Sequence, residues 1–281
     1  MKTCLVLEGG GLRGIYTAGV LDVLQEEKIK VDAIIGVSMG ALVGINFKSN
    51  QKGRTLRYNL DYCKNKKYMG FYSLLTTGNI ANKEFAYYKI PNELDPFDYK
   101  EFDQSKIKFY CVLTDLNTGK PYYKEIKNSK KEIEYLRASS SMPGVSKIVK
   151  IKNKNYLDGG ISDSIPVEKA IELGYDKIIV VLTRCEGYQK KNRKRNPLTL
   201  LYRKYPAFQK TILERPKKYN ETLEKIKELE KNHKIFVLKP SKKIPIKRIE
   251  KRKGIIEEQY NLGRKDILDK KEELIKYLRC K

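Results

Sequence analysis

Short apolar runs alternate with amphipathic segments along most of the chain. Six runs predict strands, at residues 3–8, 32–37, 107–114, 146–151, 177–183 and 234–239. Helical periodicity separates several of these runs, and Thr118-Gly119 predicts a hairpin turn after the third. Strands that alternate with helices usually pair in parallel and are covered on both faces. The pattern therefore predicts an α/β fold, a three-layer α/β/α sandwich around a mostly parallel sheet.

The last hundred residues follow a different pattern, with helical periodicity around a single strand. An apolar stripe at Tyr219, Leu223, Ile226 and Leu229 predicts a helix that packs on the core. Later apolar positions predict further helices, interrupted at Gly263. We expect two regions, residues 1–184 and a basic, mostly helical extension at 185–281, which contribute to one globule.

The segment Gly36-Val37-Ser38-Met39-Gly40 directly follows the apolar run 33–35. It reads as a strand that ends in a sharp turn and exposes one serine. The two glycines fall where Cβ atoms would collide as the chain turns from strand into helix. Ser38 is therefore a candidate nucleophile.

A second glycine cluster, Gly9-Gly10-Gly11-Leu12-Arg13-Gly14, lies between the first predicted strand and a helical pattern. Backbone N–H groups in such a loop can converge on an anion, as acyl transfer to a serine requires. The same residues match the G-x-G-x-x-G fingerprint of dinucleotide-binding folds. That alternative needs an acidic residue at the end of the next strand, where this chain has Gly36-Val37-Ser38.

A nucleophilic serine needs a base, and the chain contains one histidine, His233. Its polar surroundings favour a solvated position at the end of a helix. A carboxylate is then the better candidate, and Asp158-Gly159-Gly160 supplies one after the strand-like Tyr156-Leu157. Asp-Gly pairs are also common in simple turns, so these residues alone leave a structural role open.

The ordered motifs GGGxRG, GxSxG and DGG resemble those of the patatin-like phospholipase family. The resemblance spans about residues 3 to 185 and implies a Ser-Asp dyad that works without histidine. It makes Ser38 the nucleophile and Asp158 the general base, with an oxyanion hole at Gly10, Gly11 and Arg13. The remaining motif positions are Gly9, Gly14, Gly36, Gly40, Gly159 and Gly160.

The same resemblance implies a reaction and a substrate class. The enzyme would cleave fatty acyl esters of lipids through an acyl-enzyme intermediate, without a cofactor or metal. The segment 137–143 is similar to one that shapes the family's site wall. Glu8 and Gly160 depart from the commonest family residues without touching the dyad. The aromatic stretch 58–99 could line or cover an acyl pocket, although core packing is its simpler role.

Charge is concentrated towards the C-terminus. The net charge is +25, and residues 184–281 contain 31 Lys and Arg against 13 Asp and Glu. Basic runs at 190–195 and 247–253 could contact anionic membrane headgroups. Ordinary solvated surfaces rich in lysine explain them equally well. No nucleic-acid motif accompanies the charge, so no nucleic-acid partner is expected.

Two functional hypotheses remain open at this stage. One is a lipid acyl hydrolase; the other is a catalytically silent, basic membrane-associated protein that keeps the fold. Five cysteines without metal-ligand spacing favour reduced thiols and no metal site. With no targeting segment recognised, we expect a cytoplasmic protein, with possible peripheral contact at the inner membrane surface. The sequence does not fix the oligomeric state.

Overall fold

The computed structural model describes residues 1–191 and 195–280. Within them, one sheet contains eight strands: β1 (Thr3–Leu7), β2 (Ala33–Val37), β3 (Lys108–Asp115), β4 (Pro121–Glu125), β5 (Val149–Ile151), β6 (Lys154–Asp158), β7 (Lys177–Val181) and β8 (Phe236–Leu238). Their order is β5-β6-β3-β2-β1-β7-β8, and β4 also pairs with β3.

The α-helices of the described residues are α1 (Ile15–Glu26), α2 (Met39–Lys48), α3 (Arg54–Tyr62), α4 (Phe71–Thr77), α5 (Tyr99–Gln104), α6 (Ile133–Ser139), α7 (Val167–Glu172), α8 (Pro206–Lys231), α9 (Lys253–Asp269) and α10 (Lys271–Arg279). Short 3₁₀ segments occur at Gly11–Gly14, Gly159–Ile161 and Pro197–Tyr202, and a π-helical segment at Phe85–Leu94. No helix of the described residues is both long and apolar enough to cross a bilayer.

The sheet is mostly parallel, as the sequence predicts. Strands β1, β2, β3, β7 and β8 run parallel to their neighbours in this group, whereas β4, β5 and β6 pair antiparallel. All six predicted strands are present, with ends that differ by up to three residues. The predicted hairpin joins β3 to β4.

Alternate residues of the strands face two separate apolar layers. Leu5 and Leu7 of β1 pack in a core with residues of α1, α2 and α9. Cys4 and Val6 of the same strand pack in the opposite core with residues of α7 and α8. Because both faces of the sheet are covered by helices, the predicted three-layer α/β/α sandwich is confirmed.

The C-terminal region shares the sheet and the core of the remainder. Strand β8 pairs with β7, and the predicted stripe on α8 packs against the sheet through buried Tyr219 and Ile226. The division at residues 184 and 185 stays a prediction. His233 is exposed just after α8, as expected. Of the basic run 190–195, residues 192–194 lie outside the described residues.

The predicted interruption at Gly263 is wrong, because α9 continues through it and ends at Asp269. A Cβ atom at Gly263 would collide with the carbonyl oxygen of Tyr16 in α1. Gly19 of α1 meets the carbonyl of Tyr260 in the same way. These glycines allow α1 and α9 to pack closely, so Gly263 serves helix packing and does not break the helix.

We expect Gly263→Ala to destabilise the protein by about 2 kcal/mol, because α9 must move away from α1 to fit a methyl group. Urea unfolding followed by circular dichroism measures the change. Gly254→Ala is the matched control, since it lies in the same helix and a Cβ there meets no atom within 4 Å. The control should be neutral or slightly stabilising. Equal unfolding midpoints for the two variants would refute this account of the helix pair.

Candidate active site

Ser38 lies in the turn between β2 and α2, in a strained backbone conformation. Its φ of 54° and ψ of −121° are rarely adopted by residues that carry a side chain. A Cβ at Gly36 would press on the backbone of Ala41, and one at Gly40 would lie 2.5 Å from the carbonyl oxygen of Leu7. The two glycines therefore permit the turn that the sequence predicts.

Asp158 ends β6 and directly contacts Ser38. The Oγ of Ser38 donates a hydrogen bond of 2.7 Å to Oδ2 of Asp158. The other carboxylate oxygen, Oδ1, accepts a 2.7 Å hydrogen bond from the backbone N–H of Gly160, so Gly160 contacts the dyad, contrary to the sequence-based expectation. Both side chains are buried, since Ser38 is 7% and Asp158 is 6% exposed. The structure thus joins two residues that lie 120 positions apart in the chain.

Strand pairing explains how these residues meet. On β3, Val112 pairs with Val37 of β2, and the next residue, Leu113, pairs with Asp158 of β6. Strand β4 occupies the opposite edge of β3 at both positions. Since β2 runs parallel and β6 antiparallel to β3, their carboxyl ends approach each other on one edge. Ser38 and Asp158 stand at that meeting point.

The first glycine loop packs against the same site. A Cβ at Gly9 would lie 3.2 Å from the Cβ of Ser38, so loop and serine are in close contact. The amides of Gly10 and Gly11 donate no hydrogen bond to another described residue. Gly11 has a positive φ of 58°, a conformation that favours glycine. Two unoccupied backbone donors therefore remain at the site.

A polar pocket of about 100 Å³ contains these groups. It is lined by Gly9, Gly10, Gly11, Arg13, Ser38, Met142, Pro143, Asp158, Gly160, Ile161, Leu198, Arg215 and Arg248. Met142 and Pro143 form part of its wall, as expected for the segment 137–143. The pocket brings together the turn at Ser38, which we call the elbow, the DGG segment and the first glycine loop.

The other motif positions lie at tight backbone approaches. A Cβ at Gly14 would meet Met39, and one at Gly159 would collide with the carbonyl of Val112. Arg13 lines the pocket, and its Nε is buried without a hydrogen-bond partner among the described residues. Burial, followed by the charges of Arg184 and Arg248, lowers the pKa of Arg13 to about 10.

Burial dominates the electrostatics of Asp158 and raises the pKa of its carboxyl above the ordinary value. The hydrogen bonds from Ser38 and from the Gly160 amide oppose this shift, as do the charges of Arg215 and Arg248. A raised pKa makes the carboxylate a stronger base than a solvated aspartate. The helix α2, which begins directly after Ser38, also directs its partial positive end towards the site.

Three contributors to the site were missed by sequence reasoning. Ser139 accepts the backbone N–H of Ser38 at 3.0 Å, which holds the elbow in place. Arg215 of α8 donates through Nε to the carbonyl of Gly160 at 2.5 Å. The carbonyl of Arg248 accepts the N–H of Leu12 at 3.0 Å. Ser139 fell within the segment 137–143 and Arg248 within the basic run 247–253, but neither was assigned to the site. Nothing distinguished Arg215 among 59 basic residues.

An apolar cavity of about 100 Å³ adjoins the residues that follow the glycine loop and Ser38. Leu12 follows the glycine loop, Met39 follows Ser38, and both line it. The predicted aromatic stretch contributes Tyr58, Tyr68, Tyr87, Phe97 and Tyr99. Tyr58, Tyr68, Tyr87 and Phe97 are also buried in the core, whereas Phe71 and Tyr72 of the same stretch are exposed. That the stretch contacts an acyl chain stays a prediction. Among the described residues, no group of three or more His, Cys, Asp or Glu could hold a metal.

Comparison with protein families gives a match over most of this site. A family model described as patatin-like phospholipase matches residues 5–171. The chain belongs to the patatin-like phospholipase family. A second family model, a domain of unknown function (DUF6363), matches residues 205–279. The patatin-like match includes Ser38 and Asp158, whereas Arg215 and Arg248 lie in the second region.

Individual relatives match about two thirds of the chain. YjjU of Escherichia coli (strain K12), an uncharacterized protein, is 31% identical over 65% of this chain and 52% of its own length. Lysophospholipase nte1 of Aspergillus fumigatus is 31% identical over 63% of this chain and 12% of that protein. The chain therefore spans about half of YjjU and a small part of nte1.

One solved structure has a more distant likeness. VipD from Legionella pneumophila aligns with 94% of this chain and 67% of that chain, at 10% identity and a TM-score of 0.39.

Proposed function

We propose that this chain is a serine acyl hydrolase that cleaves fatty acyl esters of lipids. Ser38 acts as the nucleophile and Asp158 as the general base. The observation that carries the proposal is the 2.7 Å hydrogen bond between Ser38 Oγ and Asp158 Oδ2, in a pocket with two unoccupied amides. Membership of the patatin-like family supports the same activity.

The first half of the reaction forms an acyl-enzyme. Oγ of Ser38 attacks the ester carbonyl while its proton moves to Oδ2 of Asp158. The carbonyl oxygen becomes negative, and the N–H groups of Gly10 and Gly11 donate hydrogen bonds to it. The intermediate then collapses, the carbon–oxygen bond to the alcohol breaks, and Asp158 returns the proton to that alcohol.

The second half releases the fatty acid. A water molecule transfers a proton to Asp158 and attacks the acyl carbonyl. The bond from the acyl carbon to Ser38 Oγ then breaks, the fatty acid leaves, and Asp158 returns the proton to Oγ. The apolar cavity beside Met39 accommodates the acyl chain, since its lining is largely aliphatic and aromatic. Arg215 acts as a positioning residue, because it binds the carbonyl of Gly160, and the N–H of the same glycine orients the carboxylate of Asp158.

Measuring fatty acid release by mass spectrometry tests the function directly. The relatives named lysophospholipase make a monoacyl phospholipid the first substrate to test, beside a diacyl phospholipid and a neutral glyceride. A fluorophosphonate probe that labels the protein in parallel separates an active enzyme from the catalytically silent alternative. Absence of both labelling and fatty acid release would contradict the proposal. A cytoplasmic location stays a prediction.

The pH dependence of kcat/KM should follow the ionisation of Asp158. Asp158 accepts a proton only when ionised, and burial raises its pKa, so kcat/KM should fall as pH decreases through that raised value. The midpoint of the acid limb should lie above about 4, the ordinary value for aspartate. A soluble short-chain ester measures the profile, with circular dichroism to verify folding at each pH. Constant activity down to pH of about 4 would contradict a raised pKa at the base.

A further inference from the structure

The most exposed large apolar side chains belong to two short helical segments. Apart from Met1, the four highest values are 71% for Phe71, 69% for Leu75, 68% for Leu201 and 58% for Leu200. The first two lie on α4 and the last two on the 3₁₀ segment Pro197–Tyr202. Single exposed apolar residues are ordinary, but a cluster of them marks an interaction surface.

A connecting segment links these two elements at the pocket that contains Ser38. The N–H of Ile80, just after α4, donates to the carbonyl of Val145 at 2.7 Å. The N–H of Gly144 donates to the hydroxyl of Tyr202 at 2.8 Å. Residues 142–147 therefore touch both elements, and the first two of them line the pocket. The two elements that carry the exposed apolar side chains therefore both lie beside a segment that lines the pocket.

Helix α4 also borders the apolar cavity. Met69 and Ala81, which precede and follow this helix, pair with each other in an isolated antiparallel bridge. Both residues line the cavity that we assign to the acyl chain. The helix therefore projects from the rim of the cavity, with Phe71 and Leu75 in solvent.

The segments around these elements are rich in basic residues. Residues 62–83, 135–157 and 195–213 contain 13 Lys and Arg and no Asp or Glu. The rest of the chain contains all 34 acidic residues. Four of these basic residues pair with acidic side chains outside the segments: Lys83 and Arg137 with Glu134, Lys154 with Asp115, and Lys210 with Glu214. Basic side chains around exposed aromatic and aliphatic residues are typical of surfaces that lie in the interface of an anionic bilayer.

We infer that these segments form a membrane-docking rim, defined as Phe71, Leu75, Leu200 and Leu201 with the Lys and Arg residues around them. The rim binds the surface of an anionic lipid bilayer, and the four apolar side chains insert below the headgroups. The inference rests on the proposed function in one respect, since a bilayer is where an acyl ester of a lipid is found. A polynucleotide would pair with the same charges but would leave the apolar side chains in water.

Co-sedimentation with vesicles tests the rim apart from catalysis. All proteins carry Ser38→Ala, so the lipid stays intact, and the vesicles contain phosphatidylcholine with about one third phosphatidylglycerol. Two double variants, Phe71→Ser with Leu75→Ser and Leu200→Ser with Leu201→Ser, should each bind at least about tenfold more weakly. Vesicles of phosphatidylcholine alone should bind the parent protein more weakly as well.

Leu173→Ser with Leu268→Ser is the matched control, because these leucines are 39% and 47% exposed outside the three basic segments. The control should bind vesicles as the parent does. With Ser38 restored, both rim variants should hydrolyse a soluble short-chain ester at the wild-type rate and lose activity only on vesicles. This soluble-ester assay reports the proposed function independently of the rim.

Two results would overturn the inference. In the first, both rim variants bind vesicles as tightly as the parent protein does, so that charge alone would account for the binding. In the second, the control variant shows an equal loss. Duplex DNA serves as the competing polyanion. The surface is a nucleic-acid site if DNA displaces the parent protein from vesicles, and if the rim variants bind both DNA and vesicles as tightly as the parent does.

Discussion

Replacing Ser38 with alanine should reduce ester hydrolysis by at least about a thousandfold and abolish labelling by a fluorophosphonate probe. The alanine lacks the oxygen that attacks the carbonyl, so no acyl-enzyme can form. Any remaining rate would come from binding and from the amides of Gly10 and Gly11. Initial rates on a soluble short-chain ester, together with intact-protein mass after probe treatment, measure both effects.

Ser38→Gly provides a control for folding. Glycine adopts a φ of 54° without strain, so this variant should unfold at or above the wild-type temperature while it remains inactive. Ser105→Ala removes a hydroxyl from a half-buried serine between α5 and β3 and should retain full activity. Wild-type labelling of Ser38→Ala would place the nucleophile elsewhere and defeat the proposed mechanism.

Local features of the site could be predicted because they depend on neighbouring residues. The turn at Ser38 requires small residues two positions away on each side, and sequence spacing reveals that requirement directly. The glycine loop follows the same logic, since it lies between an apolar strand and an amphipathic helix. Parallel strands alternating with helices similarly fixed the three layers.

Contacts between distant strands were beyond the reach of the same reasoning. Strand β2 pairs with β3 only as far as Val112, which leaves the rest of that edge of β3 free. Strand β6 pairs antiparallel along this remaining edge, and this brings Asp158 next to Ser38. Nothing in the composition of residues 154–158 specifies this partner or direction. The pairing of the two motifs was therefore suggested by family resemblance, and the strand register supplies its physical cause.

Residues from the C-terminal region show a second limit. Arg215 and Arg248 line the pocket because α8 packs beside Gly160 and the loop after β8 packs beside Gly11. Lysine and arginine are so abundant in this chain that Arg215 did not stand out, and Arg248 was noted only as part of a basic run. Gly263 was misjudged for a related reason: a glycine inside a helix can reflect a helix end or a close helix crossing, and only the position of α1 decides between them.

Replacing Asp158 with asparagine should lower kcat by about 10³- to 10⁴-fold on the same ester. Asparagine has nearly the same shape and can still accept the N–H of Gly160 through its carbonyl oxygen. Its amide nitrogen would then face Ser38 Oγ, which currently donates to Oδ2 at 2.7 Å. A donor at that position cannot take the proton, so the serine remains a hydroxyl and attacks slowly.

The substitution Asp158→Asn should keep or increase the stability of the protein although it lowers activity. Burial raises the pKa of Asp158, which means that the ionised form is disfavoured in the folded protein. A neutral amide avoids that cost, so Asp158→Asn should unfold at or above the wild-type temperature at pH of about 7. The advantage should diminish as pH falls and the wild-type carboxyl becomes protonated. Unfolding temperatures of wild type and Asp158→Asn, measured from pH of about 7 downwards, show whether the variant is inactive because it lacks the base or because it is unfolded.

Asp163→Asn is the matched control, because the same charge is removed five positions further along the chain. Burial raises the pKa of Asp163 to about 6, and its carboxylate accepts the hydroxyl of Tyr123 at 2.7 Å. Asp163 does not line the polar pocket, so its variant should keep activity within a fewfold of wild type. If Asp158→Asn kept as much activity as Asp163→Asn, the proton of Ser38 would have to go to another acceptor. The contact between Ser38 and Asp158 would then be structural.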